Sequence, residues 1–142
     1  MVRPKINPDD KWHQTDIRIR YKDTDRMGVV YYGNYLTFFE VGRAEYMRSL
    51  GLPYSELEGK GYTLAVTDAA AKYHGNVGYD SLITVRTRIS KLTRVQVRFE
   101  YHVVDEEDRL LVSGETGHAC VNEKMKACRM PEALLASLEQ AI

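Results

Sequence analysis

From residue 23 to residue 33 the chain reads Asp-Thr-Asp-Arg-Met-Gly-Val-Val-Tyr-Tyr-Gly, two carboxylates and two glycines in eleven residues. An alternating run, Ile17 to Tyr21, precedes this segment, and an apolar stretch of helical period from Asn34 to Leu50 follows it. A strand, a short acidic glycine loop and a helix N-terminus can set a base or nucleophile beside backbone N–H groups that hold an oxyanion. Asp23 and Asp25 are therefore the candidate acids. Asp23 has a second use, holding the loop by accepting nearby backbone N–H groups, and Gly28 suits a left-handed or crowded backbone position.

Other chemistries find less support. No Gly-x-Ser-x-Gly elbow occurs. His74, His102 and His118 fall on different predicted elements, so neither a metal site nor a triad is expected, and the histidines read as satisfied or exposed. Cys120 and Cys128 are too far apart for a Cys-x-x-Cys motif and read as buried or incidental thiols. Twenty basic and twenty acidic residues cancel, so no global field favours nucleic acid or an anionic membrane. The polar, proline-bearing start, Met1 to Asp10, resembles neither a signal peptide nor a spanning segment, and a cytoplasmic protein without membrane insertion is expected.

A chain of 142 residues fits a single domain. Residues 1–14 read as a loose N-terminal arm that Trp12 tacks down. In the segment 34–50, Leu36, Phe39, Tyr46, Met47 and Leu50, flanked by Phe38 and Val41, form an apolar stripe, and Glu40, Arg43, Glu45 and Arg48 fall mostly elsewhere. Asn34 is the expected N-cap and Gly51 the expected residue after the last turn, with Pro53 as a stop. After the polar stretch 55–61, strands are predicted over Tyr62–Tyr73, Leu82–Ile89, Val95–Val103 and Arg109–Val121, the last three as an antiparallel meander. Residues 131–142 read as a C-terminal helix. One long helix against about five half-buried strands gives an α+β fold, an antiparallel sheet wrapped on the helix. Its free strand edges favour a homodimer or homotetramer.

The stretch Tyr-x-Asp-Thr-Asp-x-x-Gly-Val-Val-Tyr-Tyr-x-Asn-Tyr, from Tyr21 to Tyr35, closely resembles the signature of hot-dog-fold thioesterases of the 4-hydroxybenzoyl-CoA thioesterase type. These include short bacterial acyl-CoA thioesterases associated with the Tol-Pal system. The likeness continues through Phe38-Phe39-Glu40-Val41-Gly42-Arg43, Gly51-Leu52-Pro53 and Tyr79-Asp80, and covers roughly residues 15 to 122. It implies the hot-dog fold, a five-stranded antiparallel sheet around a long helix. It also implies assembly into dimers that join two sheets, often tetramers, and hydrolysis of an acyl-CoA substrate to free acid and CoA without cofactors.

By the same resemblance Asp25 is the catalytic acid, either attacking the thioester carbonyl or acting as general base on water. Backbone N–H groups at Tyr32 and Gly33 would hold the thioester oxygen. Family members often carry His at the position of Tyr32, which leaves the backbone donor in place. Glu40 stands on the helix where other hot-dog thioesterases place a glutamate, and here reads as a solvated or interface charge. The phosphates of CoA require Lys or Arg, and Lys91, Arg94 and Arg98 around the third strand turn are the candidates. Tyr31, Tyr35, Phe38, Phe39 and Tyr62 either line an acyl pocket or belong to the core. The competing function is a non-catalytic acyl-CoA or acyl-carrier-protein binding module, which would keep the channel and basic residues without hydrolysis.

Overall fold

The computed structural model describes residues 12–52 and 54–142. Most of the expected arm, and Pro53, therefore lie outside the described residues. The elements are β1 (His13–Arg18), a short 3-10 turn (Tyr21–Asp23), α1 (Asn34–Ser49), α2 (Tyr54–Gly59), β2 (Thr63–Tyr73), β3 (Leu82–Leu92), β4 (Gln96–Val104), β5 (Leu110–Val121) and α3 (Glu132–Gln140). The strands form one five-stranded sheet in the order β1-β3-β4-β5-β2, antiparallel throughout. The expected α+β hot-dog arrangement is present, with α1 packed on the sheet's inner face.

The structure departs from the sequence reading at β1 and at residues 54–59, for local reasons. The first strand starts at His13, within the expected arm, and stops at Arg18 rather than Tyr21. The Asp23 carboxylate accepts the Arg20 N–H at 2.8 Å and curls residues 21–23 into the 3-10 turn. Residues 54–59, which overlap the polar stretch 55–61 where the sequence predicts no element, form α2, which buries Leu57 against the core. The alanines at 69–71 lie in a strand because β5 pairs with them along their length, with a bulge between Val66 and Asp68. Trp12 stacks on His102 with centroids 4.8 Å apart and lies under the Arg88 guanidinium at 4.4 Å, which holds the residue just before β1.

The buried face of α1 is Tyr35, Phe38, Phe39, Gly42, Arg43, Tyr46 and Met47. The expected stripe is thus rotated, because Leu36 and Val41 remain 42% and 37% exposed while Arg43 is buried. Aromatic stacking sets this rotation. Phe39 lies flat on Tyr101, 4.3 Å between centroids and 3° between planes, above Gly114 of β5. A Cβ at Gly114 would come within 2.5 Å of both the Phe39 ring and the Ala70 carbonyl, so the close approach of α1 to the sheet needs glycine there. The inner face of β2 is left open. Val66 and Tyr73 are 55% and 47% exposed.

Beneath α1 a polar chain crosses the core. Arg43 Nη1 donates to the Tyr101 hydroxyl at 3.5 Å, the Tyr101 and Thr116 hydroxyls meet at 2.7 Å, and Thr116 Oγ1 lies 2.8 Å from His118 Nε2. His118 Nδ1 faces the Leu64 carbonyl at 3.3 Å, which fixes the Nδ1–H tautomer and makes Nε2 the acceptor from Thr116. Donors then run in one direction from Arg43 to Leu64. The chain needs a neutral imidazole, and burial, with the Arg43 charge adding to it, lowers the His118 pKa from its ordinary 6.5 to about 4. His118 is the satisfied core histidine that the sequence suggested.

Between these two values an unfolded His118 holds a proton that the folded one lacks, so stability rises with pH across this window and is lost as pH falls through it. In urea titrations the wild-type midpoint should fall more steeply on acidification from pH 6.5 to 4 than that of His118→Gln, which is less stable at neutral pH but lacks the titration. Parallel pH profiles would show that His118 does not carry this linkage.

Candidate active site

The loop between the 3-10 turn and α1 is held by the main chain and side chain of Asp23. Its carboxylate takes the Arg20 N–H, and its carbonyl accepts both the Tyr31 N–H at 3.0 Å and the Asn34 side-chain amide at 2.9 Å. Asn34 is consequently not the N-cap. Gly33 occupies that position, and Asn34 is the first helical residue, its side chain spent on the loop instead of on the helix's own N–H groups.

Within this frame residues 25–29 form a tight hairpin. The Asp25 N–H donates to the Val29 carbonyl at 2.9 Å, and the Gly28 N–H returns to the Asp25 carbonyl at 3.0 Å. Gly28 has φ +78°, in the region that glycine enters without cost, and a Cβ there would meet no atom within 4 Å, so conformation and not space dictates this residue. Asp25 Oδ1 accepts the Met27 N–H at 2.8 Å. Oδ2 has no protein partner among the described residues, and the side chain is half-buried.

At the head of α1 the Tyr31 carbonyl takes the Asn34 N–H and the Tyr32 carbonyl takes the Tyr35 N–H. The N–H groups of Tyr32 and Gly33 have no acceptor among the described residues. They sit where the helix dipole favours negative charge. The Tyr32 side chain is 60% exposed, and the Tyr73 hydroxyl donates to its carbonyl at 3.2 Å. The Tyr31 ring lies over the Gly33 Cα, so a side chain at residue 33 would collide with it at 2.7 Å.

Asn76 buttresses the site, and sequence reasoning missed it. Its Nδ2 donates to the Val30 carbonyl at 3.0 Å, and its Oδ1 accepts from the Tyr35 hydroxyl at 2.6 Å and the Val77 N–H at 2.9 Å. With the Val29–Gly78 bridge these bonds tie the hairpin to the segment before β3. An asparagine in a turn carries no signal of partners more than forty residues away. Burial raises the Tyr35 phenol far above its usual range and keeps it a neutral donor. Tyr35, Phe38 and Phe39 are core residues, whereas Tyr31 is exposed beside the loop.

The basic candidates do not act as one group. Arg98 reaches over Gly117 and makes two bonds to Asp68, at 2.9 and 2.8 Å, and one to Glu115 at 2.8 Å, strapping β4 and β5 to the edge strand β2. Hydrogen bonding to Arg98 lowers the Asp68 pKa. Its charge is thereby already balanced by two carboxylates. Lys91 and Arg94 are exposed. They stand at the end of β3 remote from the Asp25 loop, about 30 Å along the strand. Glu40 lies exposed on α1, about two turns from Gly33. A concavity of about 380 Å³ lies outside this site, between Tyr79–Leu82 and Asp105–Glu107; its acidic lining has the wrong sign for phosphates.

An unpaired carboxylate oxygen in a loop that leads to unpartnered helix N-terminal N–H groups suits attack on, and stabilisation of, a carbonyl. Residues 19–138 match the model of the thioesterase-like superfamily. The chain belongs to that superfamily. It is 33% identical over 109 residues to the putative acyl-CoA thioesterase YneP of Bacillus subtilis, covering 77% of this chain and 79% of that protein. It is 34% identical over 124 residues to the acyl-CoA thioesterase YbgC of Haemophilus influenzae, covering 85% and 90%. Its fold overlays the DHNA-CoA thioesterase of Staphylococcus aureus with a TM-score of 0.84 at 33% identity, covering 92% and 87% of the two chains.

Proposed function

We propose that this member of the thioesterase-like superfamily hydrolyses acyl-CoA thioesters with Asp25 as the catalytic carboxylate. The observation that carries this reading is an Asp25 Oδ2 without a partner among the described residues, in the loop that ends at the Tyr32 and Gly33 N–H groups, which likewise have none there. The thioester oxygen would accept those two N–H groups, which lie in place before substrate arrives and favour the charge that develops there. Asp25 would then either attack the carbonyl, expelling the CoA thiolate and leaving an anhydride for water to cleave, or take a proton from the attacking water. Asp23, Gly28 and Asn34 would hold the loop without touching substrate. The relatives' names place acyl-CoA thioesters first among candidate substrates.

The working unit would be at least a dimer. β2 is an edge strand of eleven residues whose inner face is open. Pairing it antiparallel with β2 of a second copy would hide both edges. That pairing lays the partner's Thr63 end beside the Tyr73 end of this chain. The partner's Lys91 and Arg94 would thereby come to the same end as this chain's Asp25, as the phosphates of CoA require, although they lie far from Asp25 within one protomer. Among the described residues no helix is long and apolar enough to cross a membrane.

Asp25→Asn should fold and assemble normally and lose at least about two orders of magnitude in thioester turnover, measured as thiol release. Near-normal turnover would exclude Asp25 from the chemistry, and retained acyl-CoA binding with no hydrolysis in the wild type would favour a binding module.

Lys91→Gln combined with Arg94→Gln should raise KM for acyl-CoA, and more so at low ionic strength, while sparing a truncated thioester without the nucleotide. Equal effects on both substrates would remove these residues from the coenzyme site.

The two defects should also complement. Unfolding and refolding the Asp25→Asn chain together with the rim variant should yield mixed dimers with one intact site each, recovering acyl-CoA turnover that neither parent has at low substrate. Mixed dimers verified by native mass spectrometry but without recovery would argue that each site draws on one chain only.

A further inference from the structure

The two cysteines, separated in sequence, meet in the fold. After β5 the chain turns at residues 122–126 and comes back antiparallel, with Val121 bridged to Ala127 and the Cys128 N–H donating to the Cys120 carbonyl at 2.9 Å. Cys120 and Cys128 therefore stand opposite one another, and their sulfurs are 3.6 Å apart. Bringing the sulfurs from 3.6 Å to bonding distance asks about 1.5 Å of movement, shared between the two side chains and the backbone at Cys128.

The surroundings of this pair give its oxidation a consequence. The Cys120 N–H donates to the Val95 carbonyl at 2.8 Å, and the Met130 N–H, two residues after Cys128, donates to the Arg94 carbonyl at 2.8 Å. The β3–β4 turn is thus held by one N–H from each side of the cysteine pair. The part of that movement taken up by the backbone at Cys128 would pass to Met130, two residues on, whose N–H seats Arg94.

We propose that Cys120 and Cys128 form a reversible disulfide that displaces the Arg94 turn and weakens binding of the coenzyme end of the substrate. The effect on substrate rests on the placement of Lys91 and Arg94 at the phosphates; formation of the bond does not. The oxidant is a low-molecular-weight disulfide. Cys128, half-buried, is the accessible sulfur. Its thiolate attacks one sulfur of the oxidant, giving a mixed disulfide and one small thiolate. The Cys120 sulfur then attacks Cys128 and expels the second small thiolate. The two protein protons end on the two small thiols, and the oxidant's sulfur–sulfur bond is exchanged for the protein's. Burial and the hydrogen bond to Cys128 push the Cys120 thiol up to about 12, so the first attack falls to Cys128.

The test equilibrates the full-length native protein with glutathione redox mixtures, followed by thiol counting, intact mass and peptide mapping. Expected is loss of both thiols with a mapped Cys120–Cys128 link. KM for acyl-CoA should rise severalfold, kinetics on a truncated thioester should stay unchanged, and dithiothreitol should reverse the change. Cys128→Ser should show no redox response. Two thiols surviving in oxidised glutathione, or glutathione retained on Cys128 alone, would overturn the pair. A mapped disulfide with unchanged KM for acyl-CoA would overturn the coupling. The reduced Lys91→Gln, Arg94→Gln protein then tells the cause: a raised KM there places the failure in the cysteine link, and an unchanged KM places it in the assignment of the phosphate rim.

Discussion

The Asp23 carbonyl accepts the Tyr31 N–H and the Asn34 amide together, while the carboxylate of the same residue turns the chain at Arg20. Those contacts join the end of β1 to the first turn of α1 across a ten-residue loop. An Asp25 carboxylate on a free loop would sample many positions, and catalysis loses rate steeply with misplacement. With Asp23 satisfied in this way, the hairpin 25–29 and the Tyr32 and Gly33 N–H groups share one rigid base. Asn76 braces it from the opposite side through Val30, Tyr35 and Val77.

The packing of α1 follows from this fixed start. The helix leaves the loop with Tyr35 already buried, and Phe39 one turn on lies flat against Tyr101, so the helix settles where Gly114 lets it come close. The rotation that buries Phe39 also carries Arg43 inward, where the hydroxyls of Tyr101 and Thr116 and the neutral His118 give it a hydrogen-bonded path to the Leu64 carbonyl. The same rotation turns Leu36 outward. One packing choice therefore decides both the buried chain and the exposure of Leu36.

Charge on the outer face is deployed differently. Arg98, flanked by Asp68 and Glu115, spends its guanidinium on holding the bulged edge strand to its neighbours. Lys91 and Arg94, in and beside the β3–β4 turn, stay in solvent. The distinction separates cations that shape the sheet from cations available to a ligand. It also places the available ones at the end of the sheet that a second copy, paired through β2, would bring to the Asp25 loop.

Much of this was legible in the residues alone. Alternation in β3 to β5, the helical period of 34–50 and the Asp-x-Asp-x-x-Gly loop are local patterns, and local patterns report backbone preference directly. They located the long helix, the meander and the loop that carries Asp25. The α2 turn escaped because its six residues are mostly polar and take their order from Leu57 reaching the core. The N-cap moved from Asn34 to Gly33 because a side chain with a tertiary partner no longer serves its own helix. Arg43 looked like a surface charge, and Cys120 and Cys128 looked like unrelated thiols, since burial and contact depend on how strands distant in sequence are laid side by side. Residue type and spacing determined which groups can do chemistry; only the tertiary fold decided which of them already have partners, because hydrogen bonds and ion pairs between remote segments leave no trace in local order.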